Sequence, residues 1–272
     1  MKTETAEILD RLHAVLDAMG PVAVAVSGGV DSTTLAALAH RRRPETTRLF
    51  HAVSPAVPRE ATERLRARAD SEAWPLEVIE AGEFDDPDYL SNPVNRCFYC
   101  KHNLYDTIQR HTDTVVVSGA NLDDLGDYRP GLDAAANHDV RHPWIEAEIG
   151  KVGIRALAAE LGLDEVAELP ASPCLSSRVE TGIAIEGDVL GAIDAAERYL
   201  RRRLRPDTVR CRVRASGVMV ELDEQSLGQL DDGAQSEIED RIAAMFSFAG
   251  QSGPVGFEAY RRGSAFVGKE AL

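Results

Sequence analysis

Apolar residues along the chain fall into two rhythms, and the rhythm changes once. VAVAV (Val22–Val26) follows Pro21 as an unbroken apolar run, the pattern of a strand buried on both faces. LFHAVS (Leu49–Ser54), LEVIEA (Leu76–Ala81) and VVVSG (Val115–Gly119) predict three more strands. Between them TTLAALAHRR (Thr33–Arg42), ATERLRARADSEA (Ala61–Ala73, after Pro58) and FYCKHNLYDTIQRH (Phe98–His111) predict helices. This alternation predicts an α/β fold, a doubly wound and mostly parallel sheet. Its ligand is expected beyond the carboxyl ends of the strands.

After about Val179 the pattern becomes that of a smaller α+β unit. A helix is predicted over Ile185–Leu204, and TVRCRVRA and VMVEL alternate like a hairpin around Ser216-Gly217. Another helix is predicted over Ser226–Phe246, and PVGFEAY (Pro254–Tyr260) reads as a last strand. The expected division is 1–180 and 181–272, joined through a loop near 178–186. No internal repeat or low-complexity linker interrupts the chain.

Composition narrows the class. The 272 residues are 44% hydrophobic, enough for a real core. MKTETAEILDRLHAVLDAMG reads as a charged amphipathic helix and not a signal peptide. No apolar run reaches the ~18–20 residues that cross a bilayer, so a soluble, cytoplasmic protein without a membrane partner is expected. A net charge of −15 argues against a general nucleic-acid binder. The basic run RRRLR (Arg201–Arg205) reads first as a solvated helix face. Lysine is nearly absent beside many arginines. Four cysteines in a chain of this length make no disulfide scaffold, so a CxxC points to metal or redox work.

SGGVDS (Ser27–Ser32) lies between the first strand and the first helix of the sheet. Two glycines let backbone N–H groups approach an anion, and the helix N-terminus adds partial positive charge. The hydroxyls of Ser27, Ser32 and Thr33 can donate to phosphate oxygens. Asp31 repels phosphate alone, so it makes sense with Mg²⁺ between them. No GK[ST] follows, so this is not the P-loop of kinases and ATPases. SGGxDS resembles the PP-loop of the ATP pyrophosphatases, which cleave ATP to AMP and pyrophosphate while adenylating an oxygen.

Three further stretches are distinctive: SGANLDDLGDYRPGLDAA (Ser118–Ala135), ELPASPCLSSRVETG (Glu168–Gly182) and AYRRGSAFVG (Ala259–Gly268). With SGGVDS and NRCFYCK (Asn95–Lys101) they resemble the LarE family, ATP-dependent sulfur transferases of nickel-pincer cofactor synthesis. The resemblance covers most of the chain. It implies a nucleotide acceptor, pyridinium-3,5-biscarboxylic acid mononucleotide, and a homo-oligomer. The chemistry is coherent by itself. A carboxylate is a poor electrophile; adenylation makes it a mixed anhydride, and a thiolate or bound sulfide is the soft nucleophile that then attacks.

By this resemblance Ser27, Gly28, Gly29, Asp31 and Ser32 hold the ATP phosphates and Mg²⁺. Asn121, Asp123 and Asp124 place metal or nucleotide, or else cap a helix. Ser177 and Arg178 flank the sulfur site, with Arg178 on AMP or substrate phosphate. Arg212 and Arg214 are substrate-phosphate ligands or plain strand arginines. Glu197 matches a family glutamate or is a solvated helix carboxylate. Arg262 and Ser264 are further candidates. A family histidine is replaced here by Ser216.

The cysteines leave the sulfur route open. Cys174 occupies the position of a family cysteine that gives up its own sulfur and becomes dehydroalanine. Such an enzyme needs that residue alone, yet Cys97 and Cys100 are present too. Three thiolates suit a [4Fe–4S] cluster with one iron open to hydrosulfide from a sulfide donor. The alternatives are a sacrificial Cys174 beside a structural or redox CxxC, or zinc with Cys211 or His102 as fourth ligand. Cys211 itself reads first as a small buried hydrophobe. Rival functions are a tRNA thiolase, an amidating enzyme, and an ATP-binding regulator.

Overall fold

The structure is a computed structural model that describes residues 2–126, 129–170, 173–261 and 263–265. Asp127, Tyr128, Ala171, Ser172, Arg262 and the residues from 266 onward, which include parts of the quoted motifs, lie outside the described residues.

The first part alternates α1 (Lys2–Met19), β1 (Val22–Ala25), α2 (Val30–Arg42), β2 (Thr47–Ala52), α3 (Arg59–Glu72) and β3 (Leu76–Ile79). It continues with α4 (Pro87–Leu90), α5 (Arg96–His111), β4 (Val115–Ser118), α6 (Pro130–Asn137), α7 (Pro143–Glu146), α8 (Lys151–Glu160) and α9 (Asp164–Ala167). The four strands form one parallel sheet in the order β3-β2-β1-β4. β1 is buried at every position, which is why it reads as an unbroken apolar run. Its even residues Val22 and Val24, with Val26 just beyond it, face a core with Leu12, Leu16, Leu35 and Trp144. Its odd residues Ala23 and Ala25 face a second core with Leu104, Tyr105 and Ile108 of α5. Helices thus cover both faces, as a doubly wound sheet requires.

The second part comprises α10 (Gly187–Leu204), β5 (Val209–Arg214), β6 (Gly217–Leu222), α11 (Glu224–Gly228), α12 (Asp232–Phe248) and β7 (Val255–Ala259). β5 and β6 form the expected antiparallel hairpin, and β7 adds in parallel to β6. The single helix expected over Ser226–Phe246 is two helices. Asp223 caps the first through Ser226 N–H at 2.9 Å, and Asp231 caps the second through Ala234 N–H at 2.7 Å. An N-cap carboxylate inside an apolar-periodic stretch restarts the helix. The core of this part holds Val213, Val220, Ile193 and Ile242, and also takes Ala56, Tyr89, Leu175 and Val179 from earlier in the chain.

Candidate active site

β1 pairs with β2 on one side and β4 on the other. The winding therefore reverses between β1 and β4, and the crevice beyond such a point is where open α/β sheets take ligands. SGGVDS leaves β1 there and SGANLDD leaves β4. The two loops press together: a Cβ on Gly119 would stand 2.7 Å from Ser32 N. Only glycine fits that approach.

Ser32 organises the first loop. Its Oγ accepts the Ser27 N–H at 3.0 Å and lies 3.0 Å from Ser27 Oγ. Gly28 takes the left-handed region at φ +81°. Gly29 caps α2 with no side chain on the cap, leaving the first N–H groups of this helix available to an anion. Asp31 Oδ1 and Thr33 Oγ1 are buried without a protein partner. Buried polar atoms without partners demand an explanation, and a Mg²⁺-bound phosphate chain fits both of them.

The sequence reading missed Lys151. Its Nζ lies 2.8 Å from Asp31 Oδ2. Its signal was its rarity: only four lysines occur in the chain. The second loop holds it in place. Asp123 Oδ2 accepts the Lys151 N–H at 2.6 Å, and buried Asn121 accepts the Asp123 N–H at 3.0 Å. Asp124 accepts the Asn121 N–H at 3.1 Å and pairs with Arg129 at 2.8 Å. Asn121, Asp123 and Asp124 therefore shape the loop packed against SGGVDS, and Asp123 takes a helix-capping contact at α8. Behind the first loop, buried His51 donates through Nδ1 to the Val26 carbonyl at 2.8 Å and accepts the Thr62 hydroxyl on Nε2 at 2.9 Å. Desolvation holds its pKa below the usual histidine value.

Cys97 and Cys100 stand on the first turns of α5. Its start is anchored by Arg96, which donates to Asn92 Oδ1 at 2.9 Å. Asn92 in turn donates to the Glu180 and Ile183 carbonyls, each at 2.9 Å. Cys174 precedes a 3₁₀ turn over Leu175–Arg178. Cys97 and Cys174 reach solvent, and Cys100 is half-buried.

The three thiols lie in one another's field. Desolvation, and then the neighbouring charge of Cys174, raise the Cys97 pKa; its sulfur reaches solvent, but protein packed around it still opposes ionisation. Burial first, with Cys174 and Cys97 adding to it, pushes Cys100 up to about 12. For Lys101, burial disfavours the charge, but Tyr105 and the three cysteines more than reverse this and raise its pKa. Three thiols and one ammonium thus share an electrostatic neighbourhood, and thiolates are the ligands that soft metals and iron–sulfur groups take. Among the described residues no three His, Cys, Asp or Glu side chains stand together as ligands of one metal ion. Cys211 is packed in the smaller core, and His102 faces His138 at 2.9 Å.

The arginines expected at substrate are largely committed to protein partners. Arg178 and Glu197 are both buried and form a two-pronged pair, Nε–Oε1 2.9 Å and Nη2–Oε2 3.1 Å. Arg201 adds to Glu197 Oε2 at 2.8 Å, and the Cys211 N–H to Oε1 at 3.1 Å. Burial raises the Glu197 pKa and Arg178 overrides it, so the carboxyl stays ionised. Arg212 lies 2.8 Å from Glu221 Oε1 and donates to the Ser177 carbonyl at 3.0 Å. Arg214 reaches Glu221 at 2.8 Å and also pairs with Glu258. Ser264 joins the same Glu221 oxygen. Glu221 is fully buried and was missed from the sequence, although a glutamate inside the apolar strand VMVEL was its signal.

A comparison with known families decides the class. The profile of the family described as asparagine synthase matches residues 6–120, the stretch from α1 to the loop after β4. Pyridinium-3,5-bisthiocarboxylic acid mononucleotide synthase of Lactiplantibacillus plantarum is 31% identical over 223 residues, 80% of each chain. The chain belongs to the LarE family. An uncharacterized protein of Synechocystis sp. is 36% identical over 225 residues, 81% of this chain and 83% of the relative. Another, from Methanocaldococcus jannaschii, is 29% identical over 184 residues, 66% and 69% of the two chains. As a LarE-family member with the PP-loop ATP pyrophosphatase fold, the chain is an ATP-dependent, adenylating sulfur-transferring enzyme. No helix among the described residues is long and apolar enough to cross a membrane.

Proposed function

We propose that this enzyme adenylates a carboxylate of pyridinium-3,5-biscarboxylic acid mononucleotide, releases pyrophosphate, and converts the acyl-adenylate to a thiocarboxylate in nickel-pincer cofactor synthesis. The acceptor rests on the printed activity of the Lactiplantibacillus relative. The observation that supports the sulfur route is that Cys97 and Cys100 stand together at the start of α5, in the field of a Cys174 that reaches solvent.

Ser27, the N–H groups at the start of α2, and Thr33 would hold the phosphates, with Asp31 Oδ1 on Mg²⁺. Metal on Asp31 would release Lys151 from Oδ2 toward the phosphate charge. Cys97, Cys100 and Cys174 would hold a [4Fe–4S] cluster, which when bound supplies an open iron for hydrosulfide. Hydrosulfide sulfur bonds to the acyl carbon, the carbon–oxygen bond to AMP breaks, AMP leaves with the electron pair, and a proton goes to water. Arg214, with Arg212 behind it, would place the acceptor's phosphate. We divide the chain at about residue 180, take it as cytoplasmic, where thiols stay reduced, and expect a homo-oligomer.

A second reading keeps Cys174 as a sacrificial donor, and the solvent exposure of its thiol favours it. Anaerobic purification followed by iron and sulfide analysis separates the two. Stoichiometric iron and sulfide, lost in a Cys97→Ser/Cys100→Ser variant, is the expected result; protein with neither, or with zinc in their place, refutes the cluster. Formation of AMP and thiocarboxylate from the biscarboxylated mononucleotide tests the acceptor, and co-purifying tRNA would redirect it.

A further inference from the structure

Arg178 carries a motif position that resemblance places at AMP or substrate phosphate, yet its guanidinium is 1% exposed. One edge grips Glu197. The remaining nitrogen, Nη1, donates toward the Pro173 carbonyl at 2.6 Å, Ser177 Oγ at 3.0 Å and the Cys174 carbonyl at 3.1 Å. Every acceptor on that side belongs to the turn that presents the Cys174 thiol.

The same turn is fastened elsewhere. Ser177 Oγ donates to the Cys174 carbonyl at 2.7 Å, and the Leu175 N–H donates to the Ala56 carbonyl at 2.8 Å. Ser176 meets the Tyr89 hydroxyl at 2.6 Å, and Arg212 holds the Ser177 carbonyl at 3.0 Å. The carbonyls of Pro173, Cys174, Ser176 and Ser177 and the N–H groups of Leu175 and Ser177 are thus all bonded, while Cys174 itself reaches solvent. A turn built this way fixes where one sulfur sits.

We propose that Arg178 is a positioning residue, whose buried pair with Glu197 of α10 locks the Cys174 turn and so fixes the place of its thiol. Two physical points favour this over a ligand role. A guanidinium is a rigid fork whose two edges can serve two partners at once. Removing its carboxylate partner would leave a buried charge unpaired, so Glu197 keeps the fork oriented. Arg212 bonds the same turn and shares Glu221 with Arg214, so one bonded network links the Cys174 turn to the arginine cluster. The lock serves either sulfur route, so it rests on the sulfur-transfer reading only for its functional consequence.

The test is hydrogen exchange on the intact apo chain, with Arg178→Lys beside wild type. Lysine keeps a positive charge near Glu197 and loses the fork. Amide exchange in a peptide spanning 173–179 should speed up about tenfold or more, while the β5 peptide containing Cys211 stays protected. Separately, ATP–pyrophosphate exchange with the acceptor should stay within about twofold of wild type while sulfur transfer falls at least about tenfold. A purely structural role would depress both halves together and would overturn the proposal, as would unchanged exchange at 173–179. Should Arg178→Lys also open β5, Ser177→Ala decides, since it leaves the ion pair intact: loss of protection confined to 173–179 supports the lock, and none refutes it. Failure of the wild type to make acyl-adenylate would count against the proposed reaction and leave the exchange result standing.

Discussion

Lys151 and Asp31 stand at the starts of two helices 120 residues apart, and Nζ lies 2.8 Å from Oδ2 beside a buried carboxylate oxygen that has no protein partner. The pair joins α2, which opens after β1, to α8, whose first N–H is held by Asp123 of the loop after β4. An ammonium so placed offsets the Asp31 charge, and in the proposed reaction it would give way to metal and phosphate.

Lys151→Ala should therefore raise the KM for ATP at least about tenfold, the lower end of the ~1.5–3 kcal/mol scale of a hydrogen bond to a charged group, with folding stability changed little. Steady-state pyrophosphate release measures it. An unchanged KM would remove Lys151 from the ATP site.

Glu221 and Glu258 both accept from Arg214, but only Glu221 is fully buried. Glu221→Ala would leave Arg212 and Arg214 without their shared counter-charge and should cost about 3–5 kcal/mol. Glu258→Ala, at the more exposed end, should cost no more than about 1 kcal/mol. Urea denaturation of the two variants gives the comparison. Equal losses would mean that Glu221 does not organise the arginines.

His51 predicts a pH effect. Its folded pKa is lowered, chiefly by desolvation. Below about 6.5, the ordinary histidine value, the unfolded chain binds the proton more readily than the folded one. Stability is thus full above that pH and falls as pH drops through it. His51→Asn should flatten the difference in urea midpoint between pH 7.5 and pH 5.5. An identical pH slope in wild type and variant would contradict this.

The sheet was legible because its signals are local. Val22–Ala25 is buried on both faces and therefore continuously apolar, and SGGVDS marks the turn after it by glycine content alone. The strand order that brings Gly119 against Ser32 is not local, and neither are the partners of Asp31. Lys151 and Glu221 escaped notice because a single charged residue has meaning only once its neighbour across the fold is known. Arg178 shows the opposite difficulty. The motif around it was recognisable, yet sequence cannot tell an arginine that faces a ligand from one that faces Glu197.

The central claim is that sulfur passes through a three-thiol site that survives the reaction. Intact-protein mass spectrometry after an anaerobic reaction with ATP, Mg²⁺, excess sulfide and the biscarboxylated pyridinium mononucleotide tests it, with thiocarboxylate counted per chain. The account predicts several thiocarboxylates per chain and an unchanged Cys174. At most one per chain, with Cys174 short by one H₂S, would contradict it.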